Sequence, residues 1–211
     1  DVRNLEASIK AIKKYNGHCQ CAISYTTSPI HTTEYYLDLI KTMESMGADS
    51  ICIKDMAGVL TPYKAYDLVK RIKEMTDIPI DLHTHCTGGI ADMIYMKAVE
   101  AGVDAIVISN HGGRVLDCTP GVCEVIPSIA KAVKGKITIL ADGGVRTGVD
   151  VVKMIGLGAD AVLIGRPFVT ASFGGKTDGV KTYVENIKNE LKSTMILTGC
   201  QSIKDIDSKV I

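Results

Sequence analysis

Gly47-Ala48-Asp49-Ser50-Ile51, Gly102-Val103-Asp104-Ala105-Ile106 and Gly158-Ala159-Asp160-Ala161-Val162 are one phrase written three times. In each, the glycine suits the end of a helix, where a left-handed residue closes the last turn. The apolar run after it suits a strand buried on both faces. Shorter apolar runs at Ile78-Pro79-Ile80-Asp81-Leu82 and Ile137-Thr138-Ile139-Leu140, with an earlier one over residues 19–25, bring the strands to six. Helical spacing fills the gaps. Leu37, Ile40 and Met43 lie a turn apart, as do Leu68-Val69, Ile72 and Met75, and Val180, Tyr183-Val184, Ile187, Leu191 and Met195 trace a long amphipathic stripe. Regular alternation of strand and helix predicts an α/β fold of parallel βα units, TIM-barrel-like, with a site gathered at the C-terminal strand ends.

A complete barrel takes eight units and about 250 residues. This chain has 211 residues and six visible units, so the barrel is incomplete, or closes with fewer strands, or is finished by a second protomer as a homo-oligomer. No linker or charge run marks a boundary, and a single domain over residues 1–211 is expected. The opening Asp1-Val2-Arg3-Asn4 enters a helical pattern directly, which reads as a cut in a larger sequence.

Lysine plus arginine and aspartate plus glutamate balance at 24 each, which argues against a nucleic-acid footprint or attraction to an anionic membrane. Seven scattered cysteines, with no signal peptide or long apolar run, point to reduced thiols in a cytoplasmic protein. Cys19-x-Cys21 has no second pair at ligand spacing, so buried small hydrophobes are the favoured reading over half a metal site. With no tryptophan and two phenylalanines, the core must be built from aliphatic side chains.

Strand ends carry two kinds of polar cluster. Lys54 ends one strand and His83-x-His85 the next, and residues two apart on an extended chain point the same way, so both imidazoles can reach one divalent ion. A cationic lysine is a poor ligand and becomes a good one only when carbamylated. The second kind comprises Ser109-Asn110-His111-Gly112-Gly113-Arg114, Asp142-Gly143-Gly144-Val145-Arg146 and Gly165-Arg166-Pro167. A base that titrates near working pH is most naturally a histidine, which points to His111. A carboxylate is best clamped by a planar, permanently charged partner, for which Arg114 is suited. Gly143, Gly144 and Gly165 with Arg146 and Arg166 offer backbone N–H groups and positive charge to a phosphate. A tight turn with a surface charge would explain one such segment, but not three in this order.

The wording from Gly47 to Gly58, followed by Asp81-Leu82-His83-Thr84-His85-Cys86-Thr87-Gly88, closely resembles the carboxyltransferase barrel of pyruvate carboxylase and oxaloacetate decarboxylase. That resemblance covers residues 1 to about 103. It implies a carbamylated Lys54 holding a divalent metal with His83 and His85, and Thr87 assisting proton transfer to or from biotin. The family's aspartate ligand, from its first strand, is missing. From about residue 101 to 211 the chain resembles the FMN-dependent α-hydroxy-acid dehydrogenases and oxidases. That resemblance implies FMN as cofactor, His111 as base, Arg114 as carboxylate clamp and Asp142 against the FMN side chain. The family's flavin-facing lysine, its substrate tyrosines and the aspartate that orients the base have no counterpart in the preceding stretch.

The two resemblances meet within Lys97–Ile106, which predicts a chimera of barrel fragments, carboxyltransferase-like over 1–103 and FMN-dehydrogenase-like over 104–211. The leading expectation is FMN binding with weak or vestigial oxidation of lactate- or glycolate-type acids. The alternatives are a metal- and biotin-dependent carboxyltransferase or decarboxylase fragment, and a non-catalytic scaffold.

Overall fold

The computed structural model describes residues 2–85, 87–114 and 117–211; Asp1 of the opening and Cys86 of the carboxyltransferase-like wording lie outside the described residues, as do Val115 and Leu116. The chain divides into two compact units, Asp1–Val107 and Ile108–Ile211.

The first unit runs α1 (Glu6–Lys14), β1 (Gln20–Ser24), α2 (Thr33–Ser45), β2 (Ser50–Asp55), α3 (Pro62–Met75), β3 (Ile80–Thr84), α4 (Ala91–Glu100) and β4, whose range Ala105–Ile108 ends at the unit boundary. β1, β2 and β3 pair in parallel, with Gln20 opposite Ser50, Ile51 opposite Ile80 and Lys54 opposite His83. β2 and β3 are buried almost throughout, as a parallel strand covered on both faces should be. β1 stands at the edge and buries only alternate residues, Cys21 and Ile23; of the strands that follow the repeated phrase, β6 departs from the expected two-faced burial, with Ala161 exposed and Val162 half-buried.

The second unit continues with α5 (Val122–Val133), β5 (Thr138–Ala141), α6 (Gly148–Leu157), β6 (Ala161–Val162) and α7 (Arg166–Leu197). β5 and β6 pair in parallel, and the Asp142 N–H donates to the Ile108 carbonyl at 3.1 Å, which brings the tip of β5 beside that of β4. The whole is an α/β, TIM-barrel-like succession of six βα units. No described helix is long and apolar enough to cross a membrane.

The repeated phrase has a physical basis in both halves. Gly47, Gly102 and Gly158 adopt φ of 101°, 97° and 125°, the left-handed closures expected of helix ends. The aspartate two residues on then grips the main chain at the start of the preceding strand with its own N–H and its carboxylate. Asp49 N–H donates to the Cys19 carbonyl and its carboxylate accepts from Cys19 N–H; Asp104 does the same with Ile80, and Asp160 with Ile139, at 2.7–3.0 Å throughout. Lys13 and Lys73 add ion pairs to Asp49 and Asp104. Three pairs of successive strands, β1 with β2, β3 with β4 and β5 with β6, are thereby fastened where a loop would otherwise leave strand-end amides unpaired.

The cores are aliphatic, as the scarcity of large aromatics requires. Ile23, Ile40, Ile51, Ile53, Ile72 and Leu82 fill the first, and Ile108, Ile126, Ile139 and Val152 the second. The six described cysteines are free thiols, with Cys19 and Cys21 buried. The stripe on α7 is real but shallow: Leu191 and Met195 pack on Val152, Cys200 and Ile206, yet no α7 residue is fully buried.

Candidate functional site

After β4 the backbone makes an unusual turn. Ser109 is buried, and His111, Gly112 and Gly113 follow with φ of 55°, 64° and 71°. A histidine in the left-handed region is uncommon and persists only where its surroundings over-determine it. Here three hydrogen bonds do so. His111 N–H donates to Ser109 Oγ at 3.1 Å, Gly112 N–H to Asn110 Oδ1 at 2.9 Å, and Gly113 N–H to the Asn110 carbonyl at 3.0 Å. The turn holds His111 half-buried at the strand end and leaves Arg114 exposed beyond it.

The other two clusters come to the same place. Gly143 and Gly144 follow β5 with φ of 88° and 87°. A Cβ at Gly143 would stand 3.1 Å from Asn110 Oδ1 and from Val122, so this glycine allows the β5 tip to lie against the histidine turn. A Cβ at Gly144 would meet nothing within 4 Å, so the main chain there is open to a ligand. A Cβ at Gly112 would collide with the Arg166 guanidinium, which therefore reaches from the start of α7 to the histidine turn. Asp142 is half-buried, Gly165 is open on its side-chain face, and Arg146 and Arg166 are exposed. Thus His111, Gly143 and Arg166, far apart in sequence, share one corner of the second unit.

The N-terminus of α6 is sealed by the protein itself. Asp150 accepts from Arg146 N–H, Thr147 N–H and Thr147 Oγ1, while Gly148 N–H donates to Glu190 at 2.8 Å. With that helix end closed by carboxylates, an anion must be gripped by the glycine loop and the two arginines.

In the first unit Lys54 lies opposite His83 in register, and the rings of His83 and His85 meet edge to face at 5.0 Å. Both imidazoles are buried, and His85 Nδ1 donates to the Met56 carbonyl at 3.1 Å. Asp55, fully buried, accepts from Val59 N–H, Leu60 N–H and Thr84 Oγ1, so it serves the turn into α3. Thr87 Oγ1 donates to the Ala57 carbonyl. Among the described residues no group of three or more His, Cys, Asp or Glu is gathered around a metal position. An ammonium at Lys54 has no lone pair to give, so two imidazoles remain, too few to fit a tightly held divalent ion.

Sequence reading passed over three residues near the flavin-like corner. Asn110 ties the turn, Glu190 caps α6, and Tyr183 donates its hydroxyl to the Arg146 carbonyl at 2.8 Å. A tyrosine in an otherwise aliphatic stripe was the available signal, because a half-buried phenol needs a partner.

A family model described as FMN-dependent dehydrogenase matches residues 19–211, beginning well before the residue 101 at which the motifs start. A pyruvate carboxylase component from Methanocaldococcus jannaschii is 58% identical over 106 residues, covering 50% of this chain and 19% of that protein. Human 2-hydroxyacid oxidase 1 is 38% identical over 169 residues, covering 80% of this chain and 44% of that protein. A mandelate oxidase variant solved with a monooxide FMN adduct superposes with a TM-score of 0.77 at 30% identity, covering 93% of this chain and 63% of the other. The chain therefore spans less than half the length of these two curated relatives. With the family's signature turn, glycine loop and arginine meeting in one corner of the fold, the chain belongs to the FMN-dependent dehydrogenase family.

Proposed function

We propose that the second unit binds FMN and that the chain oxidises small 2-hydroxy acids of the lactate or glycolate type, weakly. The observation that carries this reading is the convergence of the His111 turn, the open Gly143-Gly144 loop and the Arg166 guanidinium. These residues fit a flavin nucleotide. Gly144 leaves room for a phosphate to approach the main chain, Arg146 and Arg166 supply charge-assisted donors, and Asp142 stands beside them for the ribityl hydroxyls.

Bound FMN would supply the two-electron acceptor. The chain's own residues do the rest. Arg114 pairs with the substrate carboxylate in bidentate fashion and fixes which face of the α-carbon is presented. His111 takes up one of the two protons released as alcohol becomes ketone, and its fixed left-handed backbone sets the direction from which the imidazole acts. The stretch before residue 101 is carboxyltransferase-like in sequence and carries no counterpart of the family's flavin-facing lysine or substrate tyrosines. A flavin without the family's lysine and a substrate without its tyrosines support slow turnover.

The test is direct. The purified chain should quench FMN fluorescence on titration and show a flavin absorption band; a chain that leaves FMN fluorescence untouched defeats the reading. Arg166→Ala should weaken FMN binding about 10- to 100-fold, the worth of a charge-assisted hydrogen bond. His111→Gln should keep FMN affinity and lose at least about 100-fold in lactate or glycolate turnover.

The 58% identity to the carboxyltransferase relative supports a second proposal, that residues 1–103 and 104–211 descend from different barrels joined within Lys97–Ile106. Carboxyl transfer by the first part is the weaker functional reading, because its described ligands are incomplete.

A further inference from the structure

Helix α7 is not one rod. Its backbone breaks at Lys176, with φ 48° and ψ −134°. Residues eight apart on a straight helix would be separated by about 12 Å. Yet a Cβ at Gly179 would collide with the Ala171 carbonyl, and the rings of Phe168 and Tyr183 meet edge to face at 5.0 Å. The segment that begins at Arg166 therefore folds back along the segment that carries Tyr183. Across that reversal Tyr183 makes two contacts of different kinds. Its ring abuts Phe168, two residues after Arg166, and its hydroxyl donates to the main-chain carbonyl of Arg146 at 2.8 Å.

We infer that Tyr183 is a positioning residue that sets the spacing of the two cationic arms, Arg146 and Arg166, for the phosphate of a flavin nucleotide. The inference rests on the FMN reading and deepens it. One side chain holds the loop after β5 from below and the first turn of α7 from the side, so the arms are spaced before the phosphate arrives. Arms ordered in advance lose less freedom on binding. The phenol is a hydrogen-bond donor at neutral pH, and burial first, then the carboxylates of Glu190 and Asp150, move its pKa further up. Both arms depend on support of this kind: Arg146 is held through main-chain bonds to Asp150 and Tyr183, and Arg166 opens its helix without a side-chain cap.

The experiment compares FMN with riboflavin, which lacks the phosphate, by fluorescence titration of the full chain, with the melting temperature followed in parallel. Tyr183→Phe keeps the ring and removes the hydrogen bond. It should weaken FMN about 3- to 10-fold, the range of one hydrogen bond, while riboflavin affinity stays within about twofold. Phe168→Leu keeps the hydroxyl and loosens the ring contact, and should shift the FMN-to-riboflavin ratio in the same direction by less. An unchanged ratio in both variants overturns the inference, and so does a proportional loss of both ligands, which would mark Tyr183 as a general support of the fold. Absence of FMN binding in the unmutated chain would instead bring down the functional reading, and this inference with it.

Discussion

Asp81 takes a carboxyl group into the interior of the first unit, 4% exposed, with Oδ1 lacking a hydrogen-bond partner among the described residues. Burial pushes its pKa up to about 6, against the opposing hydrogen bonds of Cys52 and Gln20. The neutral acid is favoured in the folded chain, while the unfolded chain ionises near the ordinary value of 3.8. Between these values the folded state binds the extra proton, so stability contributed by Asp81 is complete below 3.8 and is lost as pH rises through 6. Denaturation at pH 7 and pH 5 should therefore show the unmutated chain gaining about 1 kcal/mol relative to Asp81→Asn on acidification, from one pH unit of differential protonation. Parallel pH profiles for the two proteins would contradict the buried-acid account. Along the sequence Asp81 sits in an apolar run, and nothing in that run distinguishes a strand residue facing Cys52 from one facing water. His111, by contrast, was legible at once, because a histidine followed by two glycines and an arginine names a turn and a chemistry together. What the chain did not disclose was the left-handed backbone of the histidine itself, which depends on Ser109 and Asn110 closing the turn around it.

Helix ends were the most legible elements, since Gly47, Gly102 and Gly158 each stop a helix by a local rule. The aspartates that follow them show no local sign of their role, because their partners lie 21 to 30 residues earlier. Helix α6 shows the same division. Thr147 and Asp150 form a capping box that local spacing alone reveals, but Glu190, 42 residues away, completes it. Thr147→Ala should cost about 1 kcal/mol in chemical denaturation, as N-cap losses do. Gly148→Ala should cost more, about 1–3 kcal/mol, since its Cβ would run into the main chain of Glu190 and Leu191 where α6 meets α7. Finding Gly148→Ala as stable as the parent would mean that the two helices meet less closely than this. The reversal inside α7 escaped sequence reading for a different reason: Gly174 and Gly175 precede the break, but the stripe from Val180 onward keeps helical period beyond it and hides it.

For the molecule as a whole, the α/β class and the six βα units followed from alternation and length, and family membership from three motifs. The metal cluster carried least, because Lys54 can lie opposite His83, with His85 against it, and still gather no further ligand among the described residues. Elemental analysis after dialysis should find less than equimolar divalent metal, and Lys54→Ala should leave that content unchanged. Stoichiometric zinc or manganese that vanishes with Lys54→Ala would revive carboxyl transfer. The aspartate grip at the strand starts bears on how such units join. Asp104 meets only the amide and carbonyl of Ile80, while its own carboxylate makes one of the two bonds, so the joint needs an aspartate on one side and is indifferent to the side chain on the other. A junction that asks for one aspartate and otherwise only for backbone constrains few residues, so the strand it holds is free to vary in sequence without loosening the connection.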